Sequence, residues 1–433
     1  MHTSLAQPRC VRFFQSRRIF YGWVVVTVTW LTVLAGAGLR QLPAVVIRPL
    51  EAEFGWDRAS ISLAVAVSLM AYGLGAPFSG KLIDRYGPRT VTLWALGLTV
   101  VGAAGLVTIR TVGELVWWLG VVVGMGTGAL ALVLSATVAN RWFVTHRGLV
   151  TGLLAAGTSA GQLVFIPVMM ALTISFDWRA PIMLSLVVLV LVILPLTIFL
   201  VRDGPKSVGL EPLGWTTDDG RKAVQAASMA NMRDVMRTGD FWLLSSSFFV
   251  CGVTTNGLIG THLVPHAVEH GFSEYTAAGA LALLGGMNVI GTTASGYLSD
   301  RVDPRKLLAI YYGLRATALL LLPLVNEPIG LTAFAIIFGL DWIATVPPTI
   351  ALTADRFGRP SVGTVFGWIF CCHQVGAAAA SYAGGLAHDL LGDYQAAFIV
   401  AAIMGFIAAG ISTRIGRPGT RGTGFPSPGA APA

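Results

Sequence analysis

The sequence predicts an all-α membrane protein, with twelve transmembrane helices in two six-helix halves. Three observations predict it. Of 433 residues, 55% are hydrophobic and only 12% are charged, against about 25% charged in an ordinary soluble domain. With a mean hydropathy of +0.72, this excludes a soluble globular enzyme, a disordered chain and a fibrous protein. Twelve apolar runs are each long enough to cross a bilayer, which takes about 20 residues. The chain also repeats a motif at half its length.

In the first half the spans are expected at 21–47, 59–80, 90–109, 115–139, 148–174 and 180–201. In the second half they fall at 241–266, 275–298, 307–325, 329–353, 361–386 and 395–414. The runs are continuous and do not alternate, so a strand barrel is excluded. The 51 glycines suit close approach of membrane helices. Residues 1–20 form a basic cytoplasmic tail, and the run after them is too long for a cleaved signal peptide. Residues 21–201 and 241–414 are the two six-helix halves. The polar segment 202–240, with Gly, Pro and both signs of charge, is expected to be a flexible cytoplasmic linker with a short surface helix. The Gly/Pro-rich tail 415–433 is expected to be disordered.

Orientation follows from Lys and Arg. The two tails, the even-numbered loops and the linker hold 23 of the 29, and the opposite loops hold Arg48, Arg58, Arg110 and Arg179. This predicts a multi-pass protein of the cell membrane with both termini cytoplasmic. The net charge of +8 therefore reflects orientation in a bilayer and not nucleic-acid binding. Cys10, Cys251, Cys371 and Cys372 show no metal-ligand spacing. No GxxxxGK[ST] loop and no nucleophile–base cluster is present, so no cofactor, metal or enzymatic activity is expected.

Residues 80–90, GKLIDRYGPRT, return as residues 296–306, GYLSDRVDPRK, with six of eleven positions alike. Arg141, Gly148 and Gly152 return as Arg356, Gly363 and Gly367. Each echo falls at the same place in its half, which implies a parallel repeat. The first motif, with Gly80, Leu82, Asp84, Arg85, Gly87 and Arg89, resembles the loop 2–3 signature of the major facilitator superfamily; the second copy has Asp303 where the first has Gly87. The resemblance covers about residues 20–415 and implies the major facilitator fold, with spans one, four, seven and ten lining a central cavity. It also implies a conformational latch made by Gly80, Asp84, Arg85 and Arg89, and by Asp300, Arg301 and Arg305.

Finer features resemble the bacterial branch related to monocarboxylate and oxalate/formate carriers. These are Tyr21-Gly22-Trp23 at the start of span one, the stretch Arg48–Ser60, and Arg141-Trp142-Phe143 before Arg147-Gly148-Leu149. Three features depart from known patterns, one being that the usual span-four arginine is missing, with Gly120 near its place. Thr292 stands where that branch usually has an arginine, and residues 157–161 lack the proline usual in drug/proton antiporters.

Charge inside a span is costly, at about 2.5–3.5 kcal/mol or more at its centre. Arg40 falls in the outer part of span one, where a guanidinium suits a carboxylate substrate or snorkels outward. Arg315 and Asp341, near half depth on consecutive spans, are expected to form an intramembrane ion pair; alternatively Asp341 carries a proton. His373 and Gln374 are expected to contact substrate, and His373 also to carry a proton. Asn256 breaks span seven and is a further substrate-binding candidate, while Pro347-Pro348 break span ten. His262 and His266 share a helix face near the outer mouth.

The resulting expectation is a monomeric secondary active transporter of a small organic anion, a monocarboxylate, working by alternating access with protons. The alternative is a proton-coupled exporter of amphipathic organic compounds.

Overall fold

The computed structural model describes residues 12–13, 16, 20–130, 132–144, 147–215, 231–299, 301–358 and 361–416. Among these residues, twelve helices are long and apolar enough to cross a bilayer. In the N-terminal half, α1 is Tyr21–Phe54, α2 Arg58–Tyr86 and α3 Pro88–Val107. Helix α4 is Val112–Leu130, continued by Leu132–Trp142; α5 is Arg147–Ser175 and α6 Ala180–Leu200. In the C-terminal half, α7 is Gly239–Glu269, α8 Glu274–Ser299 and α9 Pro304–Leu324. Helices α10, Pro328–Phe357, α11, Val362–Leu391, and α12, Gln395–Ser412, complete it. Twelve crossings return the chain to the side on which it began. That side, with the α6–α7 connection, is here called the terminal face, and the opposite side the far face.

Local chemistry starts these helices. Asp57 caps α2, accepting the Ser60 N–H at 3.0 Å, and the hydrogen bond from the Ser60 hydroxyl leads in holding its carboxyl below the usual range. Thr111 and Glu114 form a reciprocal capping box at α4. Gly87, at φ +83°, turns the chain between α2 and α3 where a Cβ would strike the Asp203 carboxylate, and Pro88 opens α3. Asp303 caps α9 ahead of Pro304, accepting the Arg305 N–H at 3.0 Å.

Large apolar side chains cover the exterior. Leu191, Phe199 and Ile329 are 68%, 67% and 83% exposed, which suits lipid and not water. Separate cores lie within each half, one around Tyr21, Leu96 and Trp142, another around Phe241, Leu308 and Tyr312. A third core joins both halves and includes Val45 and Ile47 of α1, Ile166 of α5, Val264 of α7 and Leu281 of α8. Between the halves, α2 lies along α11 and α5 along α8.

The helices outrun the apolar runs that announced them. Helix α1 continues to Phe54, where the sequence reading stopped at 47 before a cluster of charges. Those charges are met in the fold: Glu51 by Arg58 and Glu53 by Arg179. The linker also differs from expectation at its start. Val201 and Val208 are buried in the N-terminal core, residues Pro205–Val208 form a 3-10 turn, and Leu213 exchanges backbone hydrogen bonds of 2.9 Å with Trp142 and Val144. Apolar anchors and backbone pairing thus make residues 201–213 a strap on the N-terminal half. A short helix, Met232–Met236, precedes α7. Residues 216–230 and 417–433 lie outside the described residues.

Candidate functional site

Proline determines where α1 breaks. Pro43 has no N–H to donate, and α1 divides at Gln41 into Tyr21–Arg40 and Leu42–Phe54. Arg40 therefore sits in the last turn of a half-helix, where its cation faces the carbonyl end. It is also deeper than the sequence suggested. Arg40 ends the first 20 residues of a 34-residue span, and its guanidinium lies 4.6 Å from the ring centre of Tyr72, midway along α2. A small cavity opens there, lined by Val33, Gly36, Ala37 and Arg40 of α1, Tyr72 of α2, Thr127 and Leu130 of α4 and Thr158 of α5. Among the described residues no carboxylate is set against Arg40.

Helix α10 breaks by the same chemistry. It divides into Pro328–Asp341 and Val346–Phe357, with Pro347 and Pro348 at the start of the second piece. The groups freed by the break are taken up by neighbours. Arg315 Nη2 donates to the carbonyls of Asp341 (2.6 Å) and Trp342 (3.3 Å). Ser295 Oγ donates to the Ala344 carbonyl at 2.5 Å, and the Ile343 N–H finds Asn288 Oδ1 at 3.1 Å. Arg315 Nε also donates to Asp341 Oδ2 at 2.7 Å, and its Nη1 reaches Cys251 Sγ (3.1 Å) and Thr254 Oγ1 (3.3 Å). This side chain is fully buried. Both expected partners are thus adjacent, and Arg315 in addition mends a broken helix.

His373 is packed between rings, 4.8 Å from Phe248 and stacked 5.6 Å from Phe370, with Nδ1 3.0 Å from Gln374 Oε1. Gln374 is 1% exposed and lies against Gly73, next to Tyr72. Its Nε2 has no partner among the described residues. Phe370 meets Tyr72 edge-on at 6.2 Å. Gln374 thus approaches α2 beside Tyr72 from the other half, but like His373 and Asn256 it is not among the cavity-lining residues. Asn256 is half-buried in a π-helical turn of α7, its carbonyl accepting from Thr261 at 3.1 Å. Among the described residues no group of three His, Cys, Asp or Glu could hold a metal ion.

Comparison with known proteins places this architecture. The profile of the Major Facilitator Superfamily matches residues 25–381. The chain belongs to that superfamily. It is 28% identical over 393 residues to YcxA, an uncharacterized MFS-type transporter of Bacillus subtilis (strain 168), covering 89% of this chain and 92% of YcxA. It is 25% identical to the oxalate:formate antiporter of Oxalobacter formigenes, covering 92% and 93% of the two chains. It is also 25% identical to monocarboxylate transporter 13 of Bos taurus, covering 92% and 89%. Among solved structures, it resembles a bacterial homolog of the human lysosomal transporter Spinster, with TM-score 0.73 at 15% identity over 91% of this chain and 96% of that one. The protein is therefore a superfamily transporter and not an enzyme.

In this transporter the described signature arginines find partners within their own halves. Arg89 donates to the Ile198 carbonyl at 2.7 Å, and its N–H goes to Asp203 on the strap at 3.0 Å. Arg305 pairs with Asp303 at 2.8 Å, Arg85 lies over Tyr86, and Arg301 lies over Tyr297. Gly80 and Asp84 fall within α2, but their side-chain surroundings lie outside the described residues, as does Asp300 altogether.

The far face holds a cluster that sequence reasoning missed. Arg58 of α2, 5% exposed, donates to Glu51 through Nε (2.5 Å) and Nη2 (2.6 Å). Its Nη1 crosses to the C-terminal half, pairing with Glu269 of α7 and donating to the Tyr394 hydroxyl at 2.9 Å. The Ala59 N–H donates to Asp389 of α11 at 2.6 Å. His262 donates from Nε2 to the Ser381 carbonyl at 2.8 Å, which leaves Nδ1 to accept from Tyr394 at 3.2 Å. Burial raises the Tyr394 phenol above its usual range, so it keeps that proton. These bonds close the far face. In the sequence Arg58 was only one loop cation among four.

Proposed function

We propose that this protein is a secondary active transporter of the cell membrane that moves a small organic anion, a monocarboxylate, by alternating access with protons. The observation that carries the proposal is Arg40: a half-buried cation at half depth, beside a helix break, lining a cavity without an acidic partner among the described residues. Such a charge is costly unless an anion meets it, and its planar fork suits a carboxylate. Broken helices at mid-depth are a usual setting for transported ions and substrates. The resemblance to carriers named for oxalate, formate and monocarboxylates supports the same class.

In this reading Thr158 and Gln374 orient the substrate, and the terminal face, with its excess of Lys and Arg, lies in the cytoplasm. Asp341, held by Arg315, and His373, packed between rings, serve the structure of the C-terminal half and do not carry the coupled proton. The loop charges around Arg89 and Arg305 latch the terminal face when the far face opens.

Uptake into sealed proteoliposomes tests the reading. Labelled lactate, pyruvate, formate, oxalate and larger aryl acids would be offered with and without an inward proton gradient. Acid-driven uptake is expected, falling about 10- to 100-fold in Arg40→Gln, since a hydrogen bond to a charged group contributes about 1.5–3 kcal/mol. Transport of none of these acids by folded protein would overturn the anion reading in favour of the exporter. Uptake indifferent to the gradient would remove the protons from it.

A further inference from the structure

The far-face cluster contains an imidazole placed to compete for both carboxylates that tie the halves together. Glu269 Oε1 is shared: Arg58 Nη1 reaches it from α2, and His388 Nε2 of α11 lies 3.2 Å away. Asp389 holds the Ala59 N–H through Oδ2, while its Oδ1 stands 3.7 Å from His388 Nδ1. Thus two C-terminal carboxylates hold two N-terminal donors, and His388 lies between those carboxylates. Its Nδ1 is buried and has no hydrogen-bond partner among the described residues. A neutral ring that donates from Nε2 to Glu269 leaves the Nδ1 lone pair without a donor.

The remaining groups facing this imidazole are fixed in role. Glu51 of α1 is held by Arg58. The Tyr394 ring lies 4.9 Å from His388 and its hydroxyl serves Arg58 and His262. His262 is tied to Ser381, and His266 lies edge-on to Tyr394, 6.0 Å between ring centres, with its ring against His270.

We propose that His388 is a proton-binding site of the far-face closure, and that protonating it opens that face. Protonation adds an N–H and a full charge at Nδ1, which draws Asp389 away from the Ala59 N–H. The imidazolium competes with Arg58 for Glu269 Oε1. It also sets a second cation beside a buried guanidinium. Each consequence weakens a bond between the halves, while those inside the C-terminal half strengthen. The inference rests on the rocking of two halves in the reading above, and it supplies that reading with a proton site outside the substrate cavity.

The test reads conformation directly, in full-length protein in lipid nanodiscs. Spin labels would be placed on Thr111→Cys, before α4, and Asn326→Cys, before α10, both exposed on the far face. Cys10 and Cys372 are changed to Ala, leaving buried Cys251 and Cys371 in place. Distances are measured at about pH 7.5 and about pH 5.5, spanning most of the interval in which imidazoles titrate. The longer-distance population should rise about threefold or more on acidification. In His388→Gln it should stay low at both values, and in His388→Arg, which is permanently charged, high at both. An unaltered response in His388→Gln overturns the proposal, as does the absence of any response in the parent protein. If His388→Gln does not fold, His388→Arg decides: closure at both pH values overturns it. No substrate enters this measurement, so its failure is distinct from a failure of carboxylate uptake.

Discussion

Arg315 shows how one buried side chain serves a charge and a backbone together. Its guanidinium meets Asp341 Oδ2, the carbonyls of Asp341 and Trp342, Cys251 and Thr254, all away from lipid. Breaking a buried ion pair typically costs about 3–5 kcal/mol. Arg315→Met and Asp341→Asn should each destabilise the folded protein by about that amount, measured by unfolding in mixed micelles. The double change Arg315→Leu with Asp341→Leu removes both charges but leaves two carbonyls unmet. It should therefore remain destabilised, by about 1–3 kcal/mol, and not return to the parent value. Arg40, Arg315 and Asp341 were legible because a charge in an apolar run stands out. Arg58, Glu269 and His388 were not, because loop charges look alike in sequence. Arg58 and Glu269 are 211 residues apart, and Arg58 and Tyr394 are 336 apart.

At the scale of elements, prolines announced the broken helix α10 through Pro347 and Pro348, whereas the break in α1 at Pro43 went unread. The depth of Arg40 was misjudged for a related reason: an apolar run marks what lipid touches, and α1 continues past it once Glu51 and Glu53 are paired. The strap at 201–213 escaped the reading because Gly, Pro and charge dominate its composition, while three apolar residues and a few backbone bonds anchor it. Helix caps follow local rules and carry a pH signature. Hydrogen bonding to Arg305 leads in holding the Asp303 carboxyl below its usual range. A carboxyl lowered in the fold contributes fully above its unfolded pKa, and that contribution is lost as pH falls through the folded value. The Arg305 pair is part-exposed and screened, so the cost assigned to losing Asp303 is that of the cap alone. Asp303→Ala should cost about 0.5–2 kcal/mol near neutral pH. The difference in melting temperature from the parent should shrink as the pH is lowered below about 4.

For the whole molecule, two halves meet along α2 with α11 and α5 with α8, and the far-face end of the α2–α11 pair is tightly joined. Gly385 of α11 lies against Ser62 and the Arg58 carbonyl of α2, where an added Cβ would be about 3 Å or less from both. Gly385→Leu should act as a wedge there, since a packed interface yields by moving apart more readily than by compression. Spin labels on the far face, placed as above, should show the longer distance at neutral pH in this variant. A distance unchanged from the parent in folded protein would mean that α11 accommodates the side chain without releasing α2.

The membrane as solvent, the number of spans, the two halves and the family were all readable along the chain. Those properties rest on composition, run length and a repeat, all of which are local or periodic along the chain. It takes the packed fold to bring Arg40 over Tyr72 midway along α2, to set Arg315 into the break of α10, and to join Arg58, Glu269 and His388 in one cluster. These are relations between residues far apart in the chain. They arise when helices pack and each buried polar group must find a partner in a medium that offers no water.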